Sequence, residues 1–229
     1  MTPSTTISRR ATTVGATTVG VLAAGLALGL LATSPAASAQ DTTGARPRAA
    51  TTAGPDRALL HVSHMPEVNT VQEWARVPTR PGRVSTAQPE PLSSLGALGR
   101  ARRDFALPGA SATNVVLTFR SKFAATMAFR EVRTWRQHTT DNIPPEGRVL
   151  YTGPHTSVPV EKGRASYFPF VFKTDAAADD GTFEWLGVTR RERAVSIVAW
   201  RVDGQDATYD VDPTIRSVKI ANRLLGRLG

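Results

Sequence analysis

The chain has no cysteine among its 229 residues. That absence removes disulfide bridges, thiolate nucleophiles, iron–sulfur clusters, cysteine zinc sites and a lipid anchor on an N-terminal cysteine. Aromatic residues are few, at 7 %. They are not interleaved with basic residues as on a platform for single-stranded nucleic acid, so no nucleic-acid partner is expected. A glycine-rich phosphate loop and a G-x-S-x-G serine elbow are also missing, and no histidine–carboxylate pair stands out. No cofactor is implied. The longest apolar run, from about Val14 to Leu31, is broken by glycine and threonine. It is poor material for a membrane span of about 20 residues.

What is present first is an address. Arg9 and Arg10 are the only charges before Gln40, the apolar run follows them, and Ala37-Ser38-Ala39 closes the segment. A charged start, a short apolar stretch and an A-x-A site predict a secretory signal peptide over residues 1–39. Ser8-Arg9-Arg10 resembles a twin-arginine export signal, yet Ala11-Thr12-Thr13 puts nothing hydrophobic behind the pair. An ordinary two-arginine start is the alternative. Nothing covalent is expected to hold the cleaved chain to a membrane, and the expected location is extracellular or wall-associated.

The formal net charge is +9 and the isoelectric point about 10.9. Such a surface attracts acidic wall polymers or anionic lipid, and equally describes an arginine-rich soluble face. Residues 40–56 are polar and short of bulky apolar groups, which predicts a disordered tether. Residues 57–229 are long enough for one domain with an adequate core.

Within that domain, prolines 66, 78, 81, 89 and 91 argue for loops, with one or two helical turns possible over Glu67–Trp74. Regular structure is expected from Thr113, where Val115, Leu117 and Phe119 alternate as one face of a strand. Ser121 is placed to cap a helix reaching about His138. Its buried side is read as Phe123, Ala124, Met127, Ala128, Val132 and Trp135, opposite Lys122, Arg130, Arg133 and Arg136. Phe129 is the misfit among the basic residues. Further strands are predicted over Arg148–Tyr151, Ser166–Lys173, Thr182–Arg190 and Ala194–Val202. Pro169 suggests an edge position for the second of these, and Arg191-Glu192-Arg193 a three-residue hairpin loop. Asp212 and Pro213 start a last helix whose buried stripe is Ile215, Val218, Ala221, Leu225 and Leu228. The expected fold is α+β: a mainly antiparallel sheet with two packed helices in a single domain.

Several of these pieces resemble a known domain. The strand ending at Phe119, the alanine-containing helix with Trp135, Phe183–Val188 reading FEWLGV, and Arg190–Trp200 leading to Asp203-Gly204-Gln205-Asp206 are similar to the extracellular sensor domain of the PknH-type serine/threonine kinases of actinobacteria. That domain also occurs as a separate secreted protein. The resemblance spans roughly Leu59 to Leu228 and implies a non-enzymatic, sensor-like or binding domain whose ligand is generally unknown. It does not carry kinase activity over, since no kinase domain is present. Members often have cysteines that pair to hold the first loop against the helix. The comparable positions here are Ala87 and His138, so the Pro78–Ser94 segment is expected to be looser.

Candidate chemistry is thin. An apolar cleft between the sheet and the Ser121–His138 helix, lined by Trp135, Trp185 and Trp200, is the expected ligand pocket, although large aromatics mostly pack. Arg216, Lys219, Arg223 and Arg227 form a basic stripe able to meet an acidic polymer or anionic lipid. His61 and His64, with Glu67, have the spacing of a metal clip, but Pro66 favours a cap or loop. His138 and His155 read as surface or turn residues. Asp203, Asp206, Asp210 and Asp212 could surround a hard cation, yet a polar turn explains them, as it does Asp175, Asp179, Asp180 and Gly181. No metal site is assigned. Glu184 and Asp203 are the one carboxylate pair conceivable for glycoside hydrolysis. Three readings follow: a secreted binding domain for an unknown envelope ligand, a basic protein binding acidic wall polymer or anionic lipid, and an uncharacterised hydrolase.

Overall fold

Alternating apolar and polar residues put the strands of this chain into one antiparallel sheet. The computed structural model describes residues 54–65, 73–204 and 212–229, all within a compact unit of residues 49–229. The predicted signal peptide, most of the tether, Glu67 and three of the four acids of the 203–212 run lie outside the described residues or have undescribed side chains.

The strands are β1 (Ala75–Val77), β2 (Gly99–Leu107), β3 (Ala110–Thr118), β4 (Arg148–Thr152), β5 (Thr156–Ser157), β6 (Arg164–Lys173), β7 (Gly181–Arg191) and β8 (Ala194–Gly204). Their order across the sheet is β1-β2-β3-β8-β7-β6-β4, with β5 also on β6, and every pairing is antiparallel. Among the described residues two α-helices accompany them: α1 (Lys122–Thr134), capped by the Ser121 hydroxyl accepting from Ala124 N, and α2 (Asp212–Leu225). The fold is α+β, a mainly antiparallel sheet with two packed helices.

Strand β2 precedes the expected start of regular structure. Its turn into β3 is Pro108-Gly109, with Gly109 at φ +75°, the left-handed conformation that proline-glycine turns use. The β7–β8 loop is shorter than expected. Arg191 pairs with Ala194, leaving two residues, and Glu192 takes φ +50°. Pro169 is not on an edge strand, because β6 has neighbours on both sides. It sits where the outer neighbour is interrupted between β4 and β5, and its carbonyl accepts from Gly153 N. A missing N–H costs nothing there.

The sheet buries both faces. On one, α1 covers Val115, Leu117, Phe168, Phe170, Phe172, Leu186, Val188 and Ile197, the three phenylalanines stacking at 5.9 and 5.7 Å. The buried side of α1 is Ala125, Ala128, Phe129 and Val132. Phe123 and Met127, expected in the core, are 73 % and 46 % exposed. At 100° per residue they stand opposite the buried stripe, so Phe129 is core and Phe123 is surface.

On the other face α2 presents Val218, Ala221, Leu224 and Leu225, with Ile215 and Leu228 partly buried. The helix approaches β7 at Gly187, where any Cβ would meet Val218. Residues 58–65 complete this side. They are anchored by buried Asn114, whose Oδ1 accepts from Leu60 N at 2.8 Å while Nδ2 donates to Ser196 Oγ and Ile197 O.

Candidate functional site

Residues 78–91 contain four prolines and a glycine at φ +121°, Gly82, so they form no ladder of their own. Their backbone donors still need partners. Two buried carboxylates supply them from different strands. Asp104 on β2 accepts from Arg80 N at 2.8 Å, and Glu184 on β7 accepts from Thr86 N at 3.1 and 3.3 Å. The alternation of each strand points these acids to the side that α1 also covers: Asp104 pairs with Thr113, and Glu184 pairs with Arg201.

Each carboxylate also holds an arginine. Arg102 Nε lies 2.9 Å from Asp104 Oδ1, Thr113 Oγ1 donates to the same oxygen at 2.7 Å, and Arg102 Nη1 donates to Gly82 O. Arg201 Nη2 lies 3.1 Å from Glu184 Oε2 and also donates to Thr86 Oγ1. Its guanidinium sits 5.5 Å over the Phe172 ring. Buried charges need such pairing, because an unpaired one would cost several kcal/mol.

The loop is tied further by amide side chains. Asn142 Nδ2 donates to Thr86 O and Gln88 O, and Gln88 Oε1 accepts from Val84 N. Ala87 is fully buried. These noncovalent ties stand where the resemblance implies a disulfide.

Between loop and sheet lies a cleft of about 530 Å3. Arg80, Arg83, Arg102 and Arg201 line it with Asp104 and Glu184, an excess of cationic groups. Thr86, Ser111, Thr113 and Asn142 add polar walls, while Pro81, Pro144 and Phe172 add apolar ones. Glu184 is 2 % and Arg201 43 % exposed at the side chain, so the pair is a buried anion carrying a solvent-reaching cation. Among the described residues, Arg201 hydrogen-bonds only through Nη2, leaving Nε and Nη1 uncommitted.

The structure does not bring the three tryptophans together. Trp135 is buried in the core beneath α1, while Trp185 and Trp200 are paired neighbours in the cluster on the α2 face. The space expected to be a pocket is filled by the phenylalanines of β6. Trp200 borders the cleft, and its ring meets Trp74 edge-on at 5.4 Å.

Arg216, Lys219, Arg223 and Arg227 are all exposed along α2 and the turn after it. Three of them bear on His64, whose pKa is lowered first by burial, then by His61, Arg227, Arg223 and Arg216. His61 and His64 cap a short turn. His61 Nδ1 accepts from Ser63 N, and His64 Nδ1 accepts from His61 N. No cluster of metal-binding side chains occurs among the described residues. Glu184 and Asp203 stand one diagonal apart in the β7–β8 register, Asp203 accepting from Thr182 Oγ1. His138 meets Asp141 at 2.7 Å near the surface, whereas His155 is half-buried, bonding Arg133 O through Nε2 at 2.7 Å.

No protein-family model matches the chain, and no curated protein matches it. Among solved structures, the extracellular domain of PknH from Mycobacterium tuberculosis is similar at 11 % identity and a TM-score of 0.32, over 58 % of this chain and 68 % of that one. The Saccharomyces cerevisiae Ran-binding protein Mog1p is similar at 14 % identity and a TM-score of 0.23, over 74 % and 82 %. At these values the likenesses add nothing to the geometry of the cleft.

Sequence reasoning missed Asp104, Arg102, Arg80 and Thr86. The signal was available at one point: a single acid, Asp104, directly after Arg100-Ala101-Arg102-Arg103 and ahead of a Pro-Gly turn. The loop donors are backbone groups and carry no side-chain signature.

Proposed function

We propose that the protein is an exported, non-enzymatic binding domain that receives a small anionic ligand in the cleft beneath residues 78–91. Residues 1–39 would direct export and 40–56 would tether the domain. The observation that carries this reading is Arg201. It is held by Glu184, Thr86 and the Phe172 ring, and it keeps two donor nitrogens uncommitted at a cleft rich in arginine. A guanidinium fixed before the ligand arrives loses little entropy on binding and suits a carboxylate or phosphate. Both cleft carboxylates are engaged by arginine and loop N–H groups, which favours binding over acid–base hydrolysis. Among the described residues no helix is long and apolar enough to cross a membrane.

Native mass spectrometry of the secreted protein tests the reading. The expected result is an anionic small molecule retained by the natural chain and lost from Arg201→Gln with the fold intact. Ligand retained by Arg201→Gln, or none from any source material, overturns it.

A second reading is favoured by the exposure of Arg216, Lys219 and Arg223 on α2 and of Arg227 on the turn after it: contact with an acidic wall polymer. Binding to isolated walls that falls steeply with salt, and falls again when the four are replaced by glutamine, would support it.

A further inference from the structure

The outward ridge of α1 combines features that an ordinary solvated helix face lacks. Phe123, Met127, Arg130 and Thr134 follow one another at i, i+4, i+7 and i+11, an arc of about 60° opposite the buried stripe Ala125-Ala128-Phe129-Val132. Phe123, at 73 % exposure, is the most exposed large apolar side chain described, and Met127 beside it is 46 % exposed. Single exposed apolar residues are common, but adjacent ones on a ridge facing away from the core have no structural use.

The surroundings are basic. Arg130 shares the ridge, Lys122 immediately precedes Phe123, and Arg120 lies just ahead of the helix, all three exposed, while Leu98, 69 % exposed, is tied to the end of the sheet through its N–H to Thr118 O. Arg120 and Leu98 line a shared shallow cleft with Arg193. Lys122 is engaged at 2.5 Å by Glu192 of the β7–β8 turn, and Glu131 is the one acid on α1; among the described residues Arg120, Arg130 and Arg193 make no ion pair. The ridge itself is convex, since it is the crest of a helix, and the cleft beside Arg120 and Arg193 opens instead toward Pro55 and Leu228.

We propose that this ridge docks the domain on an anionic lipid surface, with Phe123 and Met127 entering the headgroup–acyl boundary and Arg120, Arg130 and Arg193 meeting lipid phosphates. An aromatic and a flexible thioether flanked by arginines match the two requirements of interfacial binding: apolar area to insert and positive charge to attract. The charge complementarity selects anionic lipid over a second copy of this chain, which would set like charges against one another. The site is separate from the cleft and from the α2 stripe.

The experiment is co-sedimentation of the chain beginning at Gln40 with vesicles of phosphatidylcholine alone and with about one-third phosphatidylglycerol. Binding is expected only to the anionic vesicles, weakening as salt rises from about 0.05 to 0.5 M. Phe123→Ser with Met127→Ser should lower partitioning at least about tenfold while changing the melting temperature little, because neither side chain belongs to the buried core. Replacing Arg216, Lys219, Arg223 and Arg227 by glutamine should preserve binding. In Phe123→Trp, the added fluorescence should shift to shorter wavelength with anionic vesicles. No binding, equal binding to neutral vesicles, partitioning unchanged in the double serine variant, or dimerisation that this variant abolishes would each overturn the proposal.

Discussion

Glu184 accepts the backbone N–H of Thr86 with both carboxylate oxygens across 98 residues of sequence. The irregular loop is therefore fastened to the middle of the sheet by a charge. Replacing Glu184 by alanine leaves Thr86 N–H without its acceptor and frees Arg201, at an expected cost of about 2–4 kcal/mol. Glu184→Gln keeps one acceptor and should cost about half as much. Thermal melts give the totals. Hydrogen exchange should show the loss concentrated in residues 80–90, and uniform protection across the variant would contradict the fastening role.

Phe123 and Phe129 lie on one helix with opposite fates. Phe129→Ala should destabilise by about 3–4 kcal/mol through a cavity beneath α1. Phe123→Ala should stay within about 0.5 kcal/mol. Chemical denaturation of the two variants is decisive, and equal effects would mean the helix is rotated from its described orientation.

Gly187 and Val218 offer a paired test. Gly187→Ala pushes a methyl into Val218 and should cost about 1–3 kcal/mol. Adding Val218→Ala makes room, so the double variant should be more stable than the sum of the single effects. Strict additivity would remove the contact.

Stability should fall as the solution becomes acidic. His155 has its pKa lowered from 6.5, first by burial, with Arg133 and Arg136 adding repulsion against the hydrogen bond to Arg133 O. The lowering in His64 also begins with burial. A lowered folded-state value means the unfolded chain takes the proton more readily. The contribution is therefore complete above pH 6.5 and is lost as pH drops through 6.5 toward the folded-state values. Melting temperatures between about pH 7.5 and 5 should decline accordingly, and His155→Gln should flatten part of the slope. An unchanged slope would remove His155 as a contributor.

Strands β3, β4, β6, β7 and β8 and both helices were readable in the chain because patterns such as Val115-Leu117, Phe168-Phe170-Phe172 and Val218-Ala221-Leu225 repeat with the periods of strand and helix. The α1 face was misjudged for a definite reason: Phe123 and Phe129 are six residues apart, and apolar identity alone cannot say which one the sheet will cover. Strand β2 was hidden by its arginines, which lie along the strand and reach loop carbonyls: Arg103 donates to Leu60 O and Arg102 to Gly82 O. The cleft was least legible. It arises where β2 and β7, three strand spacings apart, reach up to one proline-rich loop, a meeting that local spacing does not encode.

The place of β8 has a consequence for how this molecule comes into being. The hairpin β2–β3 and the pair β6–β7 share no hydrogen bonds and become one sheet only when residues 194–204 slot between them. A ribosome must therefore deliver the chain through residue 204 before either hydrophobic layer can close, since ladders of such long sequence separation form late. A chain built this way stays threadable until its central strand has been made.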